Sequence, residues 1–267
     1  MTTRLVVLGS GSKGNAFALL HEDALLLLDA GFSLRELDRR LALAGLDPAM
    51  LVAVAVTHEH GDHASGAVKL AKRHDIPLVS SMGTWRALAK GGEPCDWLPT
   101  GSRGPAEVGP FLVESCPTSH DAAEPVALGV RLPDGTSLGM ATDLGRPTQA
   151  VRWFLRERHC LVLESNHDEA LLRTSGYPAS VQDRIAGHGG HLSNHDCARL
   201  LEEVHHEHLT TVVLAHLSQR CNTPDAARTI VDGALRTKGF AGELVLAEQE
   251  GPMAPIAVRG PAQRTLF

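Results

Sequence analysis

The feature that most constrains this chain is one short block of ligand-type residues, Thr57-His58-Glu59-His60-Gly61-Asp62-His63. The block follows the apolar run Leu51 to Val56, which is typical of a strand buried on both faces. Side chains two positions apart on an extended backbone point the same way, so His58 and His60 can reach one metal ion. A turn at Gly61 would present the following aspartate and histidine to a second position. An isolated His-x-His pair is usually an ordinary surface or core pair, but four such residues within six positions favour a metal site.

Further ligands must complete both positions, because the block alone leaves each ion short of donors. Three candidates, His120, Asp143 and His216, each follow a predicted strand. Ligands at successive strand ends converge on one rim of a sheet sandwich, which suits a preformed site. Spacing alone fits a structural role for these three residues equally well.

Composition excludes several other classes of protein. A hydrophobic fraction of 43% and a charged fraction of 21% are typical of a globular chain. The aromatic content of 4% argues against a base-stacking platform, and the net charge of −6 argues against a generally basic nucleic-acid surface. Two bound divalent cations would offset about four negative charges locally, so the mouth of the site could still attract an anion.

The expected location is the cytoplasm. The five cysteines are odd in number and lack CxxC spacing, which is typical of a reduced protein. The first apolar run is too short for a signal peptide, and no run of about 18 apolar residues predicts a membrane span.

Apolar strands and helices alternate along the chain without a repeat, a low-complexity tract or a linker, which predicts one domain over residues 1–267. Two strand-rich halves, each ending in helices, predict two sheets packed face to face with helices outside. Ser33 and Glu36 predict a capping box at a helix start. Helices are also predicted from Ala64 to His74 and from Thr148 to Arg158, with a loose stretch from Gly91 to Pro110.

With these motifs in place, the chain resembles the metallo-β-lactamase superfamily, and more specifically its bacterial YycJ/WalJ/VicX-like branch. The His58 to His63 block identifies the superfamily. The branch is indicated by further blocks in this order: Gly9-Ser10-Gly11-Ser12-Lys13-Gly14-Asn15, Asp29-Ala30-Gly31, Ser119-His120-Asp121-Ala122, Ala141-Thr142-Asp143-Leu144-Gly145, Glu164-Ser165-Asn166-His167-Asp168, Gly190-His191-Leu192-Ser193-Asn194 and His216-Leu217-Ser218.

The resemblance implies an α/β fold, a four-layer αββα sandwich with a binuclear site along one edge of its sheets. It implies two divalent metal ions, zinc or manganese, held in two groups. One group is His58, His60 and His120; the other is Asp62, His63 and His216; Asp143 bridges the two.

Other residues of these motifs are expected around the ligands. Asp29 is similar to an aspartate that orients the ligand cluster, although it could be a turn residue before Gly31. His191 is similar to a histidine that acts at the scissile phosphate, although its loop could simply precede a helix capped by Ser193 or Asn194.

Four residues keep two readings. Lys13 and Asn15 could touch a substrate phosphate or brace the ligands, although turn formation alone would explain their glycine-rich loop. Asn166 and His167 are placed beside the site by the resemblance, with a structural cap as the alternative.

The activity that the resemblance implies is that of a binuclear phosphodiesterase, a nuclease similar to DNA exonucleases, with nucleic acid as the substrate. A hydroxide shared by the two metals would be the nucleophile, and Asp62 would orient it. Two alternatives stay open: a glyoxalase II-like thioesterase or lactonase on the same fold, and a metal-binding regulatory protein without activity. The sequence does not decide the oligomeric state.

Overall fold

The structure is a computed structural model that describes residues 3–90 and 95–260. Among these residues, no helix combines the length and the apolar character that crossing a membrane requires.

Fourteen strands in the described ranges form two seven-stranded sheets. The first sheet, in the order β14-β1-β2-β3-β4-β5-β6, contains β1 (Thr3–Gly9), β2 (Ala16–His21), β3 (Ala24–Leu28), β4 (Leu51–Ala55), β5 (Leu78–Ser80), β6 (Trp97–Pro99) and β14 (Ile256–Val258). The second sheet, in the order β13-β12-β11-β10-β9-β8-β7, contains β7 (Ala106–Val108), β8 (Phe111–Pro117), β9 (Val126–Arg131), β10 (Ser137–Ala141), β11 (Cys160–Glu164), β12 (Thr211–Ala215) and β13 (Glu243–Leu246).

Helices connect the strands and cover the outer faces of the sheets. They are α1 (Leu34–Leu43), α2 (Gly61–Ala64), α3 (Ala67–His74), α4 (Met82–Ala89), α5 (Gln149–Leu155), α6 (Glu169–Thr174), α7 (Ala179–Ala186), α8 (Asn194–Val204) and α9 (Pro224–Thr237).

Alternating side chains divide the apolar residues into three layers of core. In β1, Leu5 and Val7 face the space between the sheets, while Val6 and Leu8 face the helices. In β12, Val213 faces the space between the sheets, and its neighbours face α5, α8 and α9. This period of two leaves a strand apolar on both faces when both faces are covered. The predicted four-layer αββα sandwich is confirmed.

The strand pairing brings the carboxyl ends of the parallel strands to one edge. β3 pairs in parallel with β4, with Leu28 opposite Ala55. In the second sheet β10, β11 and β12 are parallel, and Glu164 at the end of β11 lies opposite Ala215. In open α/β sheets this edge is where ligands bind. The residues directly after these strand ends are therefore placed to form a site.

The predicted helix from Ala64 to His74 is wrong at its start, because α2 and α3 are separate helices. The chain breaks at Gly66, where a Cβ atom would lie 2.3 Å from the Phe32 carbonyl oxygen. This close approach to the loop after β3 ends the first helix. Asp62 and His63 belong to that short helix, α2, and not to a turn.

Three other details of the prediction are corrected. Ser33 caps α1, but the Glu36 carboxylate does not complete the box; it binds Arg39 and Arg40 instead. The predicted helix to Arg158 ends at Leu155. The stretch from Gly91 to Pro110 lies partly outside the described residues and elsewhere holds β6 and β7, whose three-residue patterns are too short to stand out.

Candidate metal centre

All seven predicted ligands meet at the shared edge of the sheets. His58 and His60 come from the loop after β4, and Asp62 and His63 come from α2. The remaining three follow β8, β10 and β12, and they are His120, Asp143 and His216. Donor atoms lie within 4.8 Å of one another in four groups, three of which contain predicted ligands alone: His58, His60 and His120; Asp62, His63 and His216; and His58, His63 and Asp143; the fourth is Asp143, Glu164, His191 and His216. The chain therefore brings the predicted set together, while the role of each residue as a ligand stays a prediction.

Asp29 anchors the first part of this centre. Its carboxylate accepts hydrogen bonds from the Thr57 backbone N–H at 2.8 Å and from the Thr57 hydroxyl at 3.0 Å. The other carboxylate oxygen lies 2.7 Å from Nδ1 of His63. Because this pairing fixes Nδ1 of the imidazole, Nε2 is the nitrogen left to face the cluster. Asp29 therefore contacts a predicted ligand directly, and its orienting role stays a prediction.

Asn15 braces the same region from the first glycine-rich loop. Its backbone N–H donates to the Asp62 carbonyl at 2.8 Å, and its side-chain nitrogen lies 3.2 Å from Nε2 of His63. Gly31 closes the contact, since a Cβ atom there would lie 1.8 Å from the Asp62 carbonyl oxygen. These contacts join the first loop to Asp62 and His63, and the bracing role of Asn15 stays a prediction. The Lys13 side chain is exposed, and its backbone N–H donates to Gln249.

Asp143 is the hub of the cluster. One carboxylate oxygen lies 2.7 Å from Nε2 of His63. The other oxygen lies 3.8 Å from Nε2 of His120 and 3.3 Å from Nδ1 of His216. This single side chain therefore faces residues of both predicted ligand groups.

The residue that the sequence interpretation missed is Glu164. Its fully buried side chain has one oxygen 2.8 Å from Nδ1 of His191 and 3.0 Å from Nδ1 of His216. Its second oxygen accepts the backbone N–H groups of Leu144 and Leu192 at 2.7 and 3.0 Å. A charged residue directly after the apolar run Cys160 to Leu163 was the signal that could have revealed it, since a buried carboxylate needs partners.

The loop of His191 contacts the cluster and also leads into a helix, while a role of His191 at a phosphate stays a prediction. Its Nδ1 lies 2.8 Å from Glu164 and 3.1 Å from Asp143, and its side chain is 22% exposed. The loop also leads into α8, where the Ser193 hydroxyl accepts the Asp196 N–H as an N-cap. The histidine thus borders the cluster while the residues after it start a helix.

Asn166 and His167 lie behind the cluster. The Asn166 amide donates to the His216 carbonyl at 2.9 Å and so holds the loop that carries this predicted ligand. His167 is buried, and its Nδ1 has no hydrogen-bond partner among the described residues. It lines a cleft of about 290 Å³ that His191 and α7 also border.

The buried charges shift one another's protonation. Burial raises the pKa of Glu164, but the charge and hydrogen bond of His191 outweigh it and lower this pKa to about 2. Burial likewise raises the pKa of Asp62, and the hydrogen bond with His216 then lowers it to about 2. For His216 burial lowers the pKa, while the Asp143 charge and the carboxylate hydrogen bonds raise it to about 9. The centre therefore holds ionised carboxylates, which are the form that binds cations.

Three residues of the centre have a left-handed backbone conformation. Asp29, Asp143 and His216 have positive φ angles of 56°, 52° and 53°; Asp29 and His216 directly follow a strand, and Asp143 lies two residues after β10. This left-handed region is uncommon for residues other than glycine, and it clusters at sites where the surrounding structure holds the chain. The sharp reversal turns each side chain back over the edge of its sheet.

The donor set fits divalent metal ions. Nε2 of His58 is buried and has no hydrogen-bond partner among the described residues. A buried polar atom without a partner is costly, so this nitrogen points to an absent binding partner. Burial lowers the pKa of His58 well below its usual range, which keeps its imidazole neutral as a ligand must be.

The fold and this cluster place the molecule in one class, and the chain belongs to the metallo-β-lactamase superfamily. The β-lactamase superfamily domain model matches residues 25–217. Exodeoxyribonuclease YycJ of Bacillus anthracis is 34% identical over 257 residues, which cover 95% of this chain and 97% of that protein. Exodeoxyribonuclease WalJ of Streptococcus pneumoniae is 30% identical over 230 residues, 83% of this chain and 84% of that one.

A solved structure supports the fold independently. The metallo-β-lactamase fold protein YhfI of Bacillus subtilis superposes with a TM-score of 0.70 and 16% identity, covering 93% of this chain and 98% of that one.

Proposed function

We propose that this protein is a phosphodiesterase with two divalent metal ions, zinc or manganese, and that it degrades nucleic acid as an exonuclease. The observation that carries the proposal is the position of Asp143 between two groups of ligand-type residues. A carboxylate shared by two such groups is the arrangement that a binuclear site requires. The names of the YycJ and WalJ relatives, exodeoxyribonucleases, support a nuclease acting on DNA.

In this proposal His58, His60 and His120 would hold one ion and Asp62, His63 and His216 would hold the other, with Asp143 beside residues of both groups. Imidazole and carboxylate donors suit zinc and manganese alike. When bound, two ions at such a site neutralise phosphate oxygens and make water nucleophilic near neutral pH.

Asp62 acts on the attacking water. Its side chain is 29% exposed, so one side of the carboxylate faces the open part of the cluster. Oδ2 lies 3.6 Å from Nε2 of both His63 and His216. Asp62 therefore accepts a hydrogen bond from the attacking water and orients it towards phosphorus.

His191 acts on the leaving group. Glu164 and Asp143 occupy its Nδ1, which leaves Nε2 for the substrate. The two carboxylates favour the protonated imidazole and raise its pKa well above the usual range, although burial by itself lowers it. His191 therefore donates its Nε2 proton to the leaving oxygen. Glu164 positions His191, Asn166 holds the loop of His216, and the exposed Lys13 of the first loop meets a substrate phosphate.

The expected location is the cytoplasm. All five cysteines are unpaired, and four of them are buried. This supports a reducing compartment, because oxidising compartments favour disulfides.

The test is cleavage of end-labelled single- and double-stranded DNA and RNA by protein stripped of metal with a chelator. Manganese or zinc is then added back, and bound metal is counted. We expect stepwise shortening of DNA that needs metal and disappears in His58→Ala. His208→Ala, a change at an exposed histidine, serves as the matched control and should cleave like wild type.

Two outcomes would contradict the proposal. No cleavage of any strand, with two metals bound per chain, would exclude a nuclease. Turnover of S-lactoylglutathione in place of phosphodiesters would instead identify the thioesterase of the same fold.

A further inference from the structure

A second cleft lies on the outer face of the second sheet, away from the metal centre. It encloses about 470 Å³ between the end of α5, strands β8 and β9, and the turn at Gly101 and Gly104. None of its lining residues belongs to the ligand cluster. Nothing in the proposed chemistry uses it.

A buried cation forms the floor of this cleft. The side chain of Arg158 is 3% exposed, and one guanidinium nitrogen, Nη2, donates to Glu114 at 2.8 Å. Its Nε donates to the Phe154 carbonyl at 3.1 Å, but Nη1 has no hydrogen-bond partner among the described residues. A buried guanidinium group with an unused donor is costly unless a partner arrives.

The cleft is basic although the chain as a whole is acidic. Three arginines line it, against two glutamates, whereas the whole chain carries a net charge of −6. Glu114 is already shared by Arg131, at 3.0 Å, and Arg158. The negative charge of Glu114 is therefore balanced by these two arginines. The third arginine, Arg156, is exposed and forms no ion pair among the described residues.

The rim carries an aromatic side chain that folding leaves uncovered. Trp153 is 73% exposed, and Leu43 is the one other large apolar side chain found exposed in the described ranges. The guanidinium carbon of Arg156 lies 5.9 Å from the centre of the indole ring. An exposed ring beside arginines is the combination that holds single strands, because bases stack on the ring and phosphates meet the cations.

We propose that this cleft binds the single-stranded part of the nucleic acid whose end lies in the metal centre. The proposal rests on the proposed nuclease function for the identity of its occupant. A base stacks on Trp153, while Arg156 and Arg131 face the neighbouring phosphates. The low aromatic content of the chain does not oppose this, because a single well-placed ring is sufficient for one base.

The distance to the metal centre suits such a strand. Arg131 lies opposite Leu112 in the β8–β9 pair, and His120 lies eight positions beyond Leu112 along the chain. Eight residues span at most about 29 Å, since an extended chain covers no more than about 3.6 Å per residue. One DNA strand covers this distance with about nine nucleotides at duplex spacing, and with fewer when it is extended. Short substrates therefore miss the cleft, and long substrates reach it.

Tryptophan fluorescence provides a direct test without cleavage. The chain has three tryptophans, and Trp85 and Trp97 stack on each other at 5.5 Å. The exposed Trp153 is therefore the one that a strand would quench. With metal removed by a chelator, we titrate a single strand of about 20 nucleotides, longer than the roughly 4–16 that single-strand-binding folds cover. The expected result is a saturable quench that Trp153→Leu removes.

Affinity and turnover then separate the cleft from the metal centre. Trp153→Ala should weaken binding of the long strand about tenfold. Arg156→Glu should also weaken it and reduce the slope of log affinity against log salt by about one per lost phosphate contact. Bis-p-nitrophenyl phosphate is too small to occupy the metal centre and the cleft at the same time, so its hydrolysis should be unchanged in both variants. Leu43→Ala, the matched change at the other exposed apolar side chain, should bind like wild type.

Failure of the strand site and failure of the proposed function give different results. Wild-type protein that hydrolyses no phosphodiester but still shows the fluorescence quench would reject the nuclease and keep the strand site. Wild-type affinity for DNA and RNA in both variants, with unfolding midpoints unchanged, would overturn the strand site and leave the cleft to a protein partner. Variants that bind DNA more weakly but RNA as tightly as wild type would support the strand site and identify DNA as its ligand.

Discussion

The two sheets contribute to the metal centre in different ways. The first sheet supplies four predicted ligands from one short block after β4, and Asp29 supports them from the adjacent strand end. The second sheet supplies isolated residues from the ends of separate strands, and Glu164 contacts one of them, His216, together with His191 from the loop before α8. The first region is therefore local in sequence, whereas the second exists only when the strands from β8 to β12 have paired.

The compact motif after β4 therefore supplies only part of the site. The block after β4 cannot complete two metal positions, and the strand ends of the second sheet supply the remaining donors. The two supporting carboxylates have matching tasks, since Asp29 fixes Nδ1 of His63 and Glu164 fixes Nδ1 of His216. Each region therefore has its own orienting carboxylate behind the predicted ligands.

The largest expected effect comes from removing one ligand from either region. His58→Ala in the first and His216→Ala in the second should each reduce activity by more than the about 10–100-fold that outer-shell changes cost. Both should also reduce bound metal. Metal counting beside the nuclease assay checks this, and a variant with full activity would remove that residue from the centre.

The next effect separates orientation from metal binding. Asp62→Asn keeps the shape of the side chain but removes the charge that orients the attacking water. We expect kcat to fall by about 10²–10⁴, the range for a positioned acid–base group, with a smaller loss of bound metal. Unchanged activity in Asp62→Asn would refute the assigned role.

A smaller effect compares the two supporting carboxylates directly. Asp29→Asn and Glu164→Gln should each cost about 10–100-fold in metal affinity or activity. We expect the larger loss for Glu164→Gln, because Glu164 holds two imidazoles and accepts two backbone N–H groups, whereas Asp29 holds one imidazole and Thr57. Metal titrations of both variants decide the order, and the reverse order would mean that the first region depends more on its support.

The smallest expected effect is measured as a change in stability. Gly31→Ala places a Cβ atom 1.8 Å from the Asp62 carbonyl oxygen, so the loop and α2 must separate. Overpacking of this kind typically costs about 1–3 kcal/mol in the free energy of unfolding. The matched control is Gly61→Ala, at the start of α2, where a Cβ atom meets nothing within 4 Å. Urea unfolding measures both, and equal stabilities would show that the loop yields freely.

Much of the fold was predictable because alternation of apolar residues survives in the sequence. The strand predicted from Leu51 to Val56 matches β4, Leu51–Ala55, almost to its ends, since its apolar residues are covered on both faces. The pairing of β14 with β1 was not predictable, because three residues near the end of the described chain join the sheet that the chain began with. Helix α6 was also missed, since its start depends on the Asp168 side chain as a cap.

The sequence by itself determined the ligand types, their order and the block that starts the centre, because a strand followed by closely spaced donors is a local pattern. Only the tertiary structure decided how the scattered residues meet. Positive φ angles at Asp29, Asp143 and His216 turn those side chains over the sheet edge, and strain of this kind is held by long-range packing. Glu164 shows the same reason most clearly, since its partners Leu144, His191, Leu192 and His216 come from three separate segments of the chain. No local sequence pattern can predict the role of a carboxylate whose hydrogen bonds form only after the sheets have packed.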